Sequence, residues 1–150
     1  MEEAAKSFGP MMKLMYGTIG ALGNAFYEKY GKDALAIITK VAAKSGVEYA
    51  KIIQKTMPVR NLKDIGEMFK MTEAMLGSQM ETIEMSDNVL HFKSSQCPLG
   101  IQGTSKELCE AMMTSDRKMA NTLLGQEVKA KILKTRAAGD KYCEVIFSTK

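Results

Sequence analysis

Met80-Glu81-Thr82-Ile83-Glu84-Met85-Ser86, then Asp87-Asn88, then Val89-Leu90-His91-Phe92-Lys93-Ser94-Ser95 is the stretch where the sequence changes period. Before it, apolar residues recur at helical spacing. Within it they alternate with polar ones, as Ile83 and Met85 do with Thr82 and Glu84, on either side of an Asp-Asn turn. Alternation broken by a short polar turn is the pattern of a β-hairpin. A second hairpin is expected downstream. Val128, Ala130 and Ile132 alternate with Lys129 and Lys131, Arg136 to Asp140 turns, and Tyr142 to Ser148 alternates again.

Three helices are expected upstream of Met80. Gly9-Pro10 opens the first, where proline suits the initial turn, and Met11, Met12, Met15, Ile19, Leu22 and Phe26 keep helical spacing up to Tyr30-Gly31. The second starts near Lys32-Asp33, meets Ser45-Gly46 as either a break or a tolerated glycine, and stops at Met57-Pro58. Asn61 reads as the N-cap of the third, and Gly77 as its C-cap. Between the hairpins, Thr104-Ser105-Lys106-Glu107 reads as a capping box opening a fourth helix that runs to Leu124 and ends at Gly125. The order is helices, hairpin, helix, hairpin. The expected fold is α+β, with N-terminal helices on one face of an antiparallel sheet made of two hairpins separated by a helix. The 150 residues form one domain on this reading, a helical half over 1–79 and a hairpin-helix-hairpin half over 80–150.

Composition narrows the function. Apolar residues make up 45% and charged residues 25%, the balance of a globular chain. The 21 Lys and Arg are scattered among 17 Asp and Glu, so the net charge of +4 forms no basic stripe and nucleic acid is not an expected partner. The longest uncharged run of the first half, Leu14 to Tyr27, falls short of the roughly 20 residues a membrane span needs. The acidic start, Met-Glu-Glu-Ala-Ala-Lys, is unlike a secretory signal. A cytoplasmic location with reduced cysteines is therefore the expectation. Thirteen methionines suit either ordinary core filling or an adaptable pocket.

All three cysteines lie in the second half. Cys97-Pro98 follows a strand, Cys109 sits early in the fourth helix, and Cys143 lies in the last strand. No compact Cys-x-x-Cys pair exists, so a metal site requires that they converge in space. Taken singly each is equally a small core residue, Cys143 above all, since it alternates with Val145 and Phe147. Seven residues after Cys109, on the same helical face, comes Asp116, beside the apolar stripe of Leu108, Met112, Met119 and Leu123. It is a candidate proton carrier, or else a solvated residue paired with a nearby cation. His91 is the only imidazole, and any ligand or general-base role for histidine falls to it. Gly100-Ile101-Gln102-Gly103 lacks the phosphate-loop pattern. No serine elbow or His-Glu-x-x-His is present.

Cys97-Pro98, Glu107-Leu108-Cys109, Ser115-Asp116 and Thr135 to Cys143 together resemble the L-2-amino-thiazoline-4-carboxylic acid hydrolase-like family. Tyr30-Gly31-Lys32-Asp33-Ala34 and Ser45-Gly46 extend that resemblance into the helical half. The last hairpin, Ala138-Gly139-Asp140 with Cys143, is also similar to 4-vinyl-reductase-type small-ligand-binding domains. Glu144-Val145-Ile146-Phe147 departs from the pattern, in which an aromatic residue follows the last cysteine.

The resemblance implies water addition to the C=N carbon of a small cyclic amidine-like substrate. A thiolate would act as nucleophile, or Cys97, Cys109 and Cys143 would hold zinc or iron, with Asp116 moving the proton. Three readings stand at this point. One is a cysteine-centred hydrolase; the second is a non-catalytic sensor of a small ligand or metal. The third is a structural homodimer joined through Leu14 to Tyr27, with its cysteines in the core. Convergence of the cysteines beside Asp116 favours the first two.

Overall fold

The computed structural model describes residues 2–150. Four α-helices, α1 (Glu2–Tyr30), α2 (Lys32–Thr56), α3 (Leu62–Met75) and α4 (Lys106–Leu124), accompany four strands. These are β1 (Met80–Met85), β2 (Val89–Ser94), β3 (Lys129–Lys134) and β4 (Cys143–Ser148). The strands form one antiparallel sheet in the order β1-β2-β4-β3, which is the α+β arrangement expected. Each hairpin is intact, and they join through β2 and β4, with Leu90 opposite Phe147 and Ser94 opposite Cys143.

Most helix boundaries follow the sequence signals. Asn61 accepts from the Asp64 backbone N–H at 3.0 Å, and Gly125 ends α4 in the left-handed conformation. Two signals fall elsewhere. Helix α1 begins before Gly9-Pro10 and carries Pro10 inside it. Gly9 is present because the helix passes the end of α3 there: a Cβ on it would stand 2.4 Å from the Met75 carbonyl oxygen. At α4 the cap is Ser105, which accepts from the Leu108 N–H, so the motif is a plain N-cap one residue later than the capping box expected. Ser45-Gly46 does not break α2. A Cβ on Gly46 would lie 2.1 Å from the Ser115 carbonyl oxygen, so this glycine lets α2 and α4 touch backbone to backbone.

The main core lies between the sheet and α2, α3 and α4. It unites Ala50 and Ile53, Leu62 and Ile65, Met119 and Leu123 with Leu90, Val145 and Phe147. Phe69, Phe92 and Phe147 meet at its centre, with ring centroids 5.8 to 6.4 Å apart. Both edge strands slip register by one residue, at Ile83 and at Leu133. The slip turns Ile83 outward, against the alternation read for β1, and leaves Thr82 facing in. A smaller cluster gathers at the other end of α4, where Ile101, Leu108 and Ala137 pack with Tyr27, Leu35, Ile38, Leu99 and Met112. No helix among the described residues is long and apolar enough to cross a membrane.

Candidate functional site

The smaller cluster holds two of the three cysteines. Cys109 enters it from the first turns of α4, and Cys97 from the loop after β2. Cys143 sits on the sheet face that carries Val145 and Phe147, at the start of β4. All three are free thiols and partly buried. They stand close enough to influence one another's ionisation, but not beside Asp116.

Thr135 sits between them. Its side chain is buried; its hydroxyl donates to Cys109 Sγ at 3.3 Å, accepts from the Ala137 N–H, and lies within reach of Cys143. The Arg136 N–H donates to Cys143 Sγ at 3.5 Å. Two further contacts fix this wall. The Arg136 guanidinium donates to the Ser95 carbonyl at 2.7 Å, tying the Cys97 loop to the β3–β4 turn. Asp140 accepts from the Thr135 N–H at 2.8 Å. Beside Cys143, the buried Ser94 hydroxyl donates to the Glu73 carboxylate at 3.0 Å, joining the sheet to α3. Sequence reading passed over Thr135, Ser94 and Glu73. Only the Thr-Arg-Ala-Ala-Gly-Asp turn carried a trace of the first.

Burial sets the electrostatics. It pushes the Cys109 thiol up to about 11, with the Thr135 hydrogen bond partly opposing and the Cys143 and Cys97 thiols adding to the rise. Cys143 is raised for the same principal reason. At neutral pH Cys109 and Cys143 are therefore thiols, and a neutral site costs little to keep in an apolar cluster. Among the described residues no group of three or more His, Cys, Asp or Glu side chains is spaced to hold a metal ion. As placed, the three thiols with a hydroxyl between two of them do not form a coordination sphere.

The other two candidates lie elsewhere. Asp116 shares a helical face with Cys109 but stands two turns along it, roughly 10 Å away. It faces Tyr16 of α1, near Tyr49 of α2. Among the described residues its carboxyl has no hydrogen-bond or ion-pair partner, and burial raises it to about 6. Tyr16 is raised too, by burial first and then by Tyr49 and Asp116. His91 points to the opposite face of the sheet from the thiols, where its Nε2 meets Glu144 at 2.8 Å. The open clefts of the surface are also separate. One of about 240 Å³ runs between Glu110, Thr114 and Arg117 on α4 and Ala130 and Ile132 on β3. One of about 400 Å³ lies where α1 passes Met75 and Gly77.

No protein-family model matches the chain, and no curated protein matches it. Solved structures do. The phenol-responsive sensory domain of the transcription activator PoxR, with phenol bound, superposes with a TM-score of 0.64 at 14% identity. That match covers 89% of this chain and 74% of the other. A trafficking protein particle complex subunit 3 from Naegleria fowleri, covalently bound to palmitic acid, gives 0.64 at 15% identity. It covers 93% of this chain and 95% of that one. At such identities the likeness establishes the fold and nothing about the ligand.

Proposed function

We propose that the chain is a non-catalytic small-molecule-binding domain of the sensory kind. The ligand would lodge in the smaller apolar cluster, against the wall made by Cys97, Cys109, Thr135 and Cys143. The observation that carries this reading is the composition of that cluster. Tyr27, Leu35, Ile38, Leu99 and Met112 are only partly buried and pack with Cys97 and Cys109 about Ile101, Leu108 and Ala137, outside the main core, with the Thr135 hydroxyl on Cys109. An apolar lining with a few convergent polar groups is what a small-ligand site requires. The two solved relatives support it, since one holds phenol and the other palmitate on the same fold.

The hydrolase reading has less behind it. Nucleophilic attack needs a thiolate, and burial keeps Cys109 and Cys143 protonated. Asp116 stands too far along α4 to pass a proton to Cys109. A thiol-bound zinc or iron draws support from the convergence of three cysteines, but Thr135 would have to yield its place between them.

Methyl-labelled methionine spectra test the proposal. Met112 lines the cluster and Met119 lies in the main core, so titration with phenol or with palmitate should move Met112 saturably and leave Met119 in place. If neither compound shifts Met112 at millimolar concentration, ligand binding at this cluster is refuted. Elemental analysis of protein prepared without oxygen tests the metal reading separately: stoichiometric zinc or iron, lost in Cys109→Ser, would establish it.

A further inference from the structure

Helix α1 has two apolar faces, and the fold uses one of them. Gly9, Tyr16, Gly20, Gly23 and Tyr27 share the inward line, and there the backbone itself meets the body of the protein. A Cβ on Gly20 would stand 1.7 Å from the Leu99 carbonyl oxygen, and one on Gly23 3.0 Å from the Met112 methyl. The large side chains are on another line, about 110° round the helix at 100° per residue. Phe8, Met11, Met15, Ile19 and Leu22 lie along it and are 51% to 67% exposed. From Leu14 to Tyr27 there is no charge on either face. A helix apolar on both sides belongs inside an assembly.

We infer that this outer stripe is a docking surface for a second copy of the same chain. Area is the first argument. Half-exposed side chains of this size offer roughly 100 Å² each, so α1 with Leu14 included presents on the order of 600 Å². Ile37, Val41 and Ile52 of α2 are exposed as well. The α1 surface alone stands at the top of the roughly 300–600 Å² of the largest patch on a typical monomer and approaches the about 800 Å² that a standard interface takes from each partner.

Symmetry is the second argument. The stripe occupies positions 8, 11, 15, 19 and 22, a spacing that reads the same in both directions about Met15. Two copies of α1 crossing antiparallel there place Phe8 against Leu22, Met11 against Ile19, and Met15 against its own mate. Such self-complementarity is what a two-fold interface requires. A membrane surface fits less well, because a helix lying in a bilayer flanks its apolar face with several cationic residues, and from Phe8 to Leu22 there is only Lys13.

Sedimentation velocity across micromolar concentrations tests the inference. Wild type should sediment at twice the 16.5 kDa chain mass. Met15→Glu and Met15→Lys should each sediment as monomers with unchanged circular dichroism, since Met15 is exposed and its loss leaves the fold intact. Mixing the two variants should restore the dimer, because each glutamate then meets a lysine across the dyad. Ile83→Glu, exposed on β1, should leave the dimer unaffected. A monomeric wild type, a dimer indifferent to Met15→Glu, or failure of the mixture to reassociate would each overturn the inference. So would capture of the wild-type monomer by phosphatidylglycerol vesicles.

Discussion

Replacing Gly46 by alanine sets two effects of known sign against each other. Alanine is the better helix former by about 1 kcal/mol, so propensity alone stabilises α2. Packing opposes it. The new Cβ would stand 2.1 Å from the Ser115 carbonyl oxygen and 3.1 Å from the Met119 backbone nitrogen. Both neighbours are helix backbone, so neither can rotate away. Restoring an ordinary 3.4 Å contact separates α2 from α4 by about 1.3 Å. A gap of 0.5–1 Å already forfeits about a quarter to a half of the dispersion energy across it. Ala50 and Ile53 on one side and Met119, Ala120 and Leu123 on the other share that seam. Overpacking of this kind costs about 1–3 kcal/mol, and backbone placement puts Gly46→Ala at or above the upper end. The net expectation is a loss of about 2 kcal/mol. In urea, with a slope near 2 kcal/mol per molar, the midpoint falls by about 1 M. The melting temperature falls by about 4–8 °C. Gly17→Ala supplies the control, because nothing lies within 4 Å of its would-be Cβ and the propensity gain should appear unopposed. If both substitutions raise the urea midpoint, close contact between α2 and α4 is not what selects glycine at position 46.

Two further tests address the ionisable groups. Asp116 binds its proton more tightly folded, near pH 6, than unfolded, near pH 3.8, so the native state holds more protons between these values and stability falls as pH rises through that window. Asp116→Asn should flatten this slope and stabilise the protein at pH 7 by about 1–2 kcal/mol, less than the roughly 3 kcal/mol of a wholly buried group because the side chain is partly exposed; an unchanged slope between pH 4 and 6 would refute the assignment. Cys109 with its thiol near 11 should react with iodoacetamide at pH 8 about a hundredfold more slowly than the same thiol in urea, and labelling at the unfolded rate would contradict its burial.

The fold was largely legible because its punctuation is local. Pro58, Asn61, Gly125 and the Asp87-Asn88 turn act through their own backbones, and α2, α3 and the first hairpin stop or turn where they predict. Pro10 misled because proline at the start of an apolar run reads as a first turn, whereas the helix already exists upstream of it. Thr104 misled because Ser105 competes for the same role one residue on. The placement of Cys109 and Cys143 about one threonine was not legible, because it rests on the pairing of Ser94 with Cys143 and on the turn that sets Thr135 against Cys109, both long-range. Spacing placed Cys109 and Asp116 on one face of α4 correctly, but a face two turns long meets different neighbours at its two ends. The thiols take one end, and Tyr16 and Tyr49 the other. The apolar run of α1 carried no mark of which side turns inward. The glycines decide that, through contacts with Leu99 and Met75 that no local pattern encodes.

The strand order β1-β2-β4-β3 also fixes a sequence of assembly. The first hairpin can form as soon as its own residues are available, but a two-stranded ribbon is marginal by itself. Its free edge waits for β4, the latest strand in the chain, which must arrive across the loop and helix that separate Ser94 from Cys143. The sheet therefore cannot be laid down progressively from the N-terminal side, and its centre is completed last. Long-range closure of this kind slows folding and leaves Leu90 and Phe92 uncovered along that edge in the interval. Until that strand docks, Cys143 is absent from beside Ser94 and Thr135, so the thiol wall and the sheet are completed in the same event.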